Sequence, residues 1–180
     1  MYKNLFLVTI IALSTIKNTA QQNIDIVRLD SDSLSYLFHI TQNKTHTVQQ
    51  DHYYWFKSGR IHKTQGSYYG KLLHGNYKVF NSEGALLEEG RHNKGKKTGL
   101  WRTWYENGNI QSTRQKRFPA IRNAYNIREY DSTGKVVKKG FENRNGFSGY
   151  RIIEEKNNLM KIRYRKGEVI LPRNKKASKN

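Results

Sequence analysis

The groups in this chain that could perform acid–base or metal chemistry are six histidines, His39, His46, His52, His62, His74 and His92, and 14 carboxylates, with no cysteine beside them. The histidines lack the close pairing that places two imidazoles on one metal, so no metal-ligand set is expected. Glu88 and Glu89 are adjacent. On a strand such neighbours point to opposite faces, which is wrong for shared acid–base work. No nucleophile elbow, phosphate loop or helical His-Glu pair is present, and the chain reads as non-catalytic, with no cofactor.

Binding chemistry is better represented. Lysine and arginine number 33 against 14 acids, a formal net charge of +19. Such a field favours an anionic partner, whether an acidic protein, an anionic membrane or an envelope glycan. The same charge also serves solubility and protects sheet edges. The aromatic residues interleave with it: Lys78 and Phe80, Arg102 and Trp104, and Arg128 two residues before Tyr130. Strand alternation places Lys78 with Phe80 and Arg102 with Trp104 on one face, opposite Tyr77 with Val79 and Trp101 with Tyr105. Lys78, Phe80, Arg102, Trp104 and Arg128 are therefore the candidate binding surface, with Lys94, Lys96 and Lys97 as a basic loop cluster. Cross-strand packing is the competing role for the rings.

The elements that must position these residues show in a repeat. Gly59, Gly84, Gly108 and Gly134 fall 25, 24 and 26 residues apart, and Asn158 follows 24 later. An aromatic precedes each glycine by four residues (Trp55, Phe80, Trp104, Tyr130), and an aliphatic follows by two (Ile61, Leu86, Ile110, Val136). Such spacing predicts tandem β-hairpins with tight turns at the glycines. In the clearest copy, residues 101–105 form the first strand, 106–109 the turn and 110–114 the return. Gly66, Gly90 and Gly140 are expected to close the return strands. Gly75, Gly99 and Gly149 would end a longer connection into the next strand.

The string from Gly75 to Gly99, GNYKVFNSEGALLEEGRHNKGKKTG, and its successor from Gly99 to Gln115, GLWRTWYENGNIQSTRQ, resemble the variant MORN repeat. The resemblance is good over roughly residues 53–150 and loose to about 170, where the closing glycines are gone. Between Gln115 and Ala124, Phe118-Pro119 stands where the glycine-flanked loop would be, which predicts interrupted pairing. Membership implies an all-β, elongated antiparallel meander that holds a partner or acts as a scaffold. Some members are antitoxin-like, and no catalytic residue travels with the repeat.

The chain divides into four stretches. Residues 1–20 read as a signal peptide, with Lys3, an apolar run from Leu5 to Ile16, and Ala20 before Gln21. Export to a periplasm or the cell exterior follows, an uncleaved anchor being the alternative, and it makes nucleic acid the least favoured partner. Residues 21–52 form an N-terminal cap over the first hairpin's edge, 53–171 the repeat domain, and 172–180 a basic disordered tail. Edge strands at both ends could pair with another copy.

Overall fold

A computed structural model describes residues 24–31, 33–116, 124–155 and 158–171. The expected signal peptide, the Phe118-Pro119 connection and the basic tail lie outside these residues. Among the described residues the chain is all strand: β1 (Ile24–Asp30), β2 (Leu34–Thr41), β3 (His52–Lys57), β4 (Arg60–Gln65), β5 (Lys71–Asn81), β6 (Leu86–Asn93), β7 (Lys96–Trp104), β8 (Ile110–Lys116), β9 (Tyr125–Tyr130), β10 (Val136–Asn143), β11 (Gly146–Glu155), β12 (Asn158–Arg165) and β13 (Glu168–Ile170). They form one open antiparallel sheet in the order β1-β2-β5-β6-β7-β8-β9-β10-β11-β12-β13, with the β3–β4 hairpin off this path.

The repeat is a repeated turn. Asn81, Tyr105 and Asp131 each donate their amide four residues on, to Ala85, Asn109 and Lys135, at 2.9 Å. Each also accepts from the glycine three residues on, Gly84, Gly108 or Gly134, at 2.9–3.0 Å. The glycines take φ of 83°, 83° and 90°, the left-handed geometry of a turn closed by a bulge. One residue of each return strand is left over beyond the turn: Leu87, Gln111 and Val137 stand where the register shifts. At these turns the extra residue falls on the return strand, and the further shifts, between Leu73 and Tyr77 on β5 and between Thr98 and Arg102 on β7, each add two residues, so the alternation of β5 and β7 is kept.

The opposite ends of the hairpins are tighter than expected. β6 and β7 are joined by Lys94-Gly95 alone, with φ of 46° and 79°, the two-residue turn whose twist suits adjoining strands. The predicted longer connection is therefore strand: Lys96, Lys97, Thr98 and Gly99 all belong to β7. Gly90 likewise lies inside β6, where the Trp101 ring occupies the place a Cβ would take. Asn158 is the first residue of β12, paired with Glu155, rather than a turn residue. Pairing between β8 and β9 also holds, from Ser112–Glu129 to Lys116–Tyr125, on either side of the expected interruption.

The N-terminal hairpin docks elsewhere than anticipated. β2 pairs along β5, from Leu34–Asn81 to Thr41–Leu72, and leaves the edge of the first repeat hairpin alone. β5 spans 11 residues and offers the longer backbone edge. Buried Phe38 and Ile40 on β2 pack with Leu73 on β5. β3 keeps only the pairs Trp55–Leu72 and Phe56–Lys71 with the sheet, and its hairpin leans over the inner face, where Phe56, Tyr54 and Ile61 cover Phe38 and Leu73. Tyr53, Trp55 and Leu72 form a second small core.

Candidate functional site

Cross-strand partners share a face, and following them from strand to strand traces a row across the whole sheet. It passes through Arg28, Leu37, Lys78, Glu89, Arg102 and Thr113. It continues through Arg128, Lys139, Tyr150, Arg163 and Ile170. Six of these eleven residues are cations and one is an acid, so the outer face carries a basic stripe perpendicular to the strands. With strands about 4.8 Å apart, Lys78, Arg102 and Arg128 recur at roughly 10 Å, once per hairpin. Glu89 Oε1 accepts from Arg102 Nη1 at 2.7 Å and partly neutralises that one member. Two residues further along β5, β7 and β9 stand Phe80, Trp104 and Tyr130, all half-buried, a flanking row of rings on the same face. Lys78, Phe80, Arg102, Trp104 and Arg128 are thus brought together as sequence alternation expected.

The lysine cluster is not. Lys94 sits in the turn, its amide donating to His74 Nδ1 at 3.2 Å. Lys96 and Lys97 are strand residues with carboxylate partners. Lys96 Nζ lies 2.6 Å from Asp51 and 5.1 Å from the Tyr53 ring centroid. Burial opposes its charge, but the hydrogen bonds to Asp51 and Tyr53 outweigh that and hold its pKa above the ordinary lysine value. Lys97 Nζ lies 2.8 Å from Glu88 and 3.7 Å over the Trp101 ring. A loop cluster fails because the tight turn leaves two residues to the loop and turns the other lysines into ladder positions.

Sequence reading passed over the inner face. There the row Glu88, Thr103, Ser112, Glu129, Lys138 and Arg151 combines acids, hydroxyls and bases. Glu129 pairs Lys138 at 2.6 Å, Arg114 pairs Glu142, and the Thr103 and Ser112 hydroxyls are 2.8 Å apart. The overhanging β3–β4 hairpin closes this face into a cleft of about 840 Å³, with Tyr54 and Lys63 on the hairpin side and Trp101, Arg114, Tyr125 and Glu142 on the sheet side. Burial raises the Tyr125 pKa, keeping the hydroxyl protonated. Beneath lies His92, 3% exposed, ringed by Tyr54, Tyr77 and Trp101 at 5.0–5.3 Å. Both its ring nitrogens lack a hydrogen-bond partner. Burial, then the Lys97 charge, lowers its pKa to about 3. The signal for this face was the i, i+2 parity of Glu88, Gly90 and His92, read only for its carboxylates.

The family model of the MORN repeat variant matches residues 97–115. This span runs from Lys97 on β7, through the Gly108 turn and its bulge, to Gln115 on β8. Residues 97–115 are thus a MORN-type repeat. Comparison with curated proteins and with solved structures finds no match. The turn hydrogen bonds of the matched copy recur at Asn81 and Asp131, so β5–β6 and β9–β10 share its hairpin geometry. A MORN repeat suggests a binding or scaffold module. The recurring hairpin places one cation and one ring per unit on the outer face at β5, β7 and β9.

Proposed function

We propose that the protein is an exported, non-catalytic MORN-repeat module that holds an acidic protein partner on its outer sheet face, in the manner of an antitoxin-like binder. The observation that carries this reading is the transverse row, in which Arg28, Lys78, Arg102, Arg128, Lys139 and Arg163 stand in register across the sheet. A row of guanidinium and ammonium groups beside Phe80, Trp104 and Tyr130 combines long-range attraction with the large rings that dominate interface energies. Export is inferred from residues 1–20, and the lack of cysteine leaves stability to packing and strand pairing.

The half-buried rings along the stripe also favour a second reading, peripheral attachment to anionic lipid or envelope glycan. Affinity capture from the source organism's envelope fraction, using the chain from Gln21 onward and its Arg102→Glu/Arg128→Glu variant, separates the two. One stoichiometric acidic protein that survives salt well above about 0.15 M and is lost on the charge reversal is the expected result. Recovery of salt-labile lipid or glycan instead would favour the second reading. An unchanged captured set in the variant would rule out the outer face as the site.

A further inference from the structure

The inner cleft has the composition of a ligand site and lies on the face opposite the basic stripe. Its volume, about 840 Å³, falls in the range of small-molecule pockets. Its floor strands β7 and β8 are hydrogen-bonded on both sides, so they present no free backbone donors or acceptors of the kind an extended peptide uses. Recognition here rests on side chains. Those chains are acid–base pairs and hydroxyls in alternation: Glu88 with Lys97, Glu142 with Arg114, and Thr103 with Ser112.

Three features restrict the ligand. Cations outnumber acids along the lining, which favours a negative charge. Yet Asp51, Glu88 and Glu142 stand among the cations, and carboxylates repel a dense polyanion while accepting hydrogen bonds from hydroxyls. Each is held by one cation, which leaves its other oxygen for a ligand donor. Tyr54 and Tyr125, both half-buried, add ring surface from the hairpin and from β9. A ligand with many hydroxyls, an occasional carboxylate and a ring face satisfies all three requirements.

We propose that the cleft between the β3–β4 hairpin and the inner face of β6–β10 binds an acidic sugar, with Arg114 and Lys97 meeting its carboxylate and Glu88 and Glu142 accepting from its hydroxyls. The site is independent of the outer-face reading.

Calorimetric titration of the full chain with a short oligogalacturonate tests it, beside a neutral oligohexose of equal length and inorganic polyphosphate. Saturable binding of the oligogalacturonate, weaker by about tenfold or more in Arg114→Ala and tighter than either comparison ligand, is expected. Glu142→Gln removes one of the carboxylates that repel a polyanion while keeping an acceptor oxygen for a sugar hydroxyl, and should narrow the preference for the oligogalacturonate over polyphosphate. Arg128→Glu, on the opposite face, separates the two sites: it should abolish capture of an acidic partner and leave sugar binding intact. Absence of oligogalacturonate binding, equal affinity for polyphosphate, or indifference to both cleft substitutions in folded protein would overturn the assignment.

Discussion

His92 is the residue whose surroundings depart furthest from its chemistry. Its ring is packed among Tyr54, Tyr77 and Trp101 with Lys97 nearby, and neither nitrogen has a partner. Imidazole serves here as a flat apolar filler, which costs the desolvation of two nitrogens. The folded-state pKa of about 3 lies below the ordinary 6.5, so the unfolded chain takes up the proton first as pH falls. Stability from this site is complete above about pH 6.5 and is lost progressively towards pH 3. Replacing His92 by Phe removes both penalties at similar volume. Urea denaturation should show His92→Phe more stable than the natural chain, with the advantage larger by roughly 2 kcal/mol at about pH 5 than near neutrality. Parallel pH profiles for the two proteins would mean that His92 is hydrated or hydrogen-bonded in solution.

At the level of elements, the turn-side ends of the hairpins were legible in the sequence and the other ends were not. Glycine at a fixed distance from an aromatic marks a left-handed turn, and Gly108 has that φ with open space around it. Gly90, expected to close a return strand, lies inside β6 for another reason. An ideal Cβ on it would stand 2.2 Å from Trp101 Cδ2. Sequence alone does not distinguish a glycine needed for φ from one needed for contact, and that ambiguity turned strand residues 96–99 into a supposed loop. The docking of β2 on β5 was hidden as well, because which edge a hairpin chooses depends on the length and burial of competing strands. The outer-face row keeps its register because the single extra residues fall on β6 and β8, while the shifts on β5 and β7 add two residues each and preserve parity. A double-mutant cycle checks the contact. Gly90→Ala should cost about 1–3 kcal/mol by overpacking, and Trp101→Leu should recover part of that loss. Gly108→Ala, paying about 1–2 kcal/mol of backbone strain, should combine with Trp101→Leu additively. Additivity in both cycles would show that Gly90 does not seat the tryptophan.

Across the whole molecule, burial is uneven in a way that composition could not announce. The largest fully buried side chains, Tyr53, Phe38, Leu72 and Leu73, lie where the β3–β4 hairpin covers β2 and β5. Towards the other end the sheet is one layer, held by ladder pairing, ion pairs such as Glu129–Lys138, and the packing of Phe147 with Tyr164. Leu159, Met160, Val169 and Ile170 are 45–65% exposed on β12 and β13. Partly exposed ion pairs contribute about 0–1 kcal/mol each, whereas apolar burial contributes several kcal/mol per cluster. In a structure whose units touch chiefly their neighbours, opening can begin at the weaker end and stop part-way. Native-state hydrogen exchange on the full chain should therefore give a gradient: amides of β2 and β5 exchange only through global unfolding, while those of β12 and β13 exchange far faster, with little denaturant dependence. The short β13 protects the edge from strangers without anchoring it. Equal protection from β2 through β12 would instead require the ladder itself to transmit cooperativity across all the strands, and would make the buried N-terminal core an ornament of the sheet rather than its source of stability.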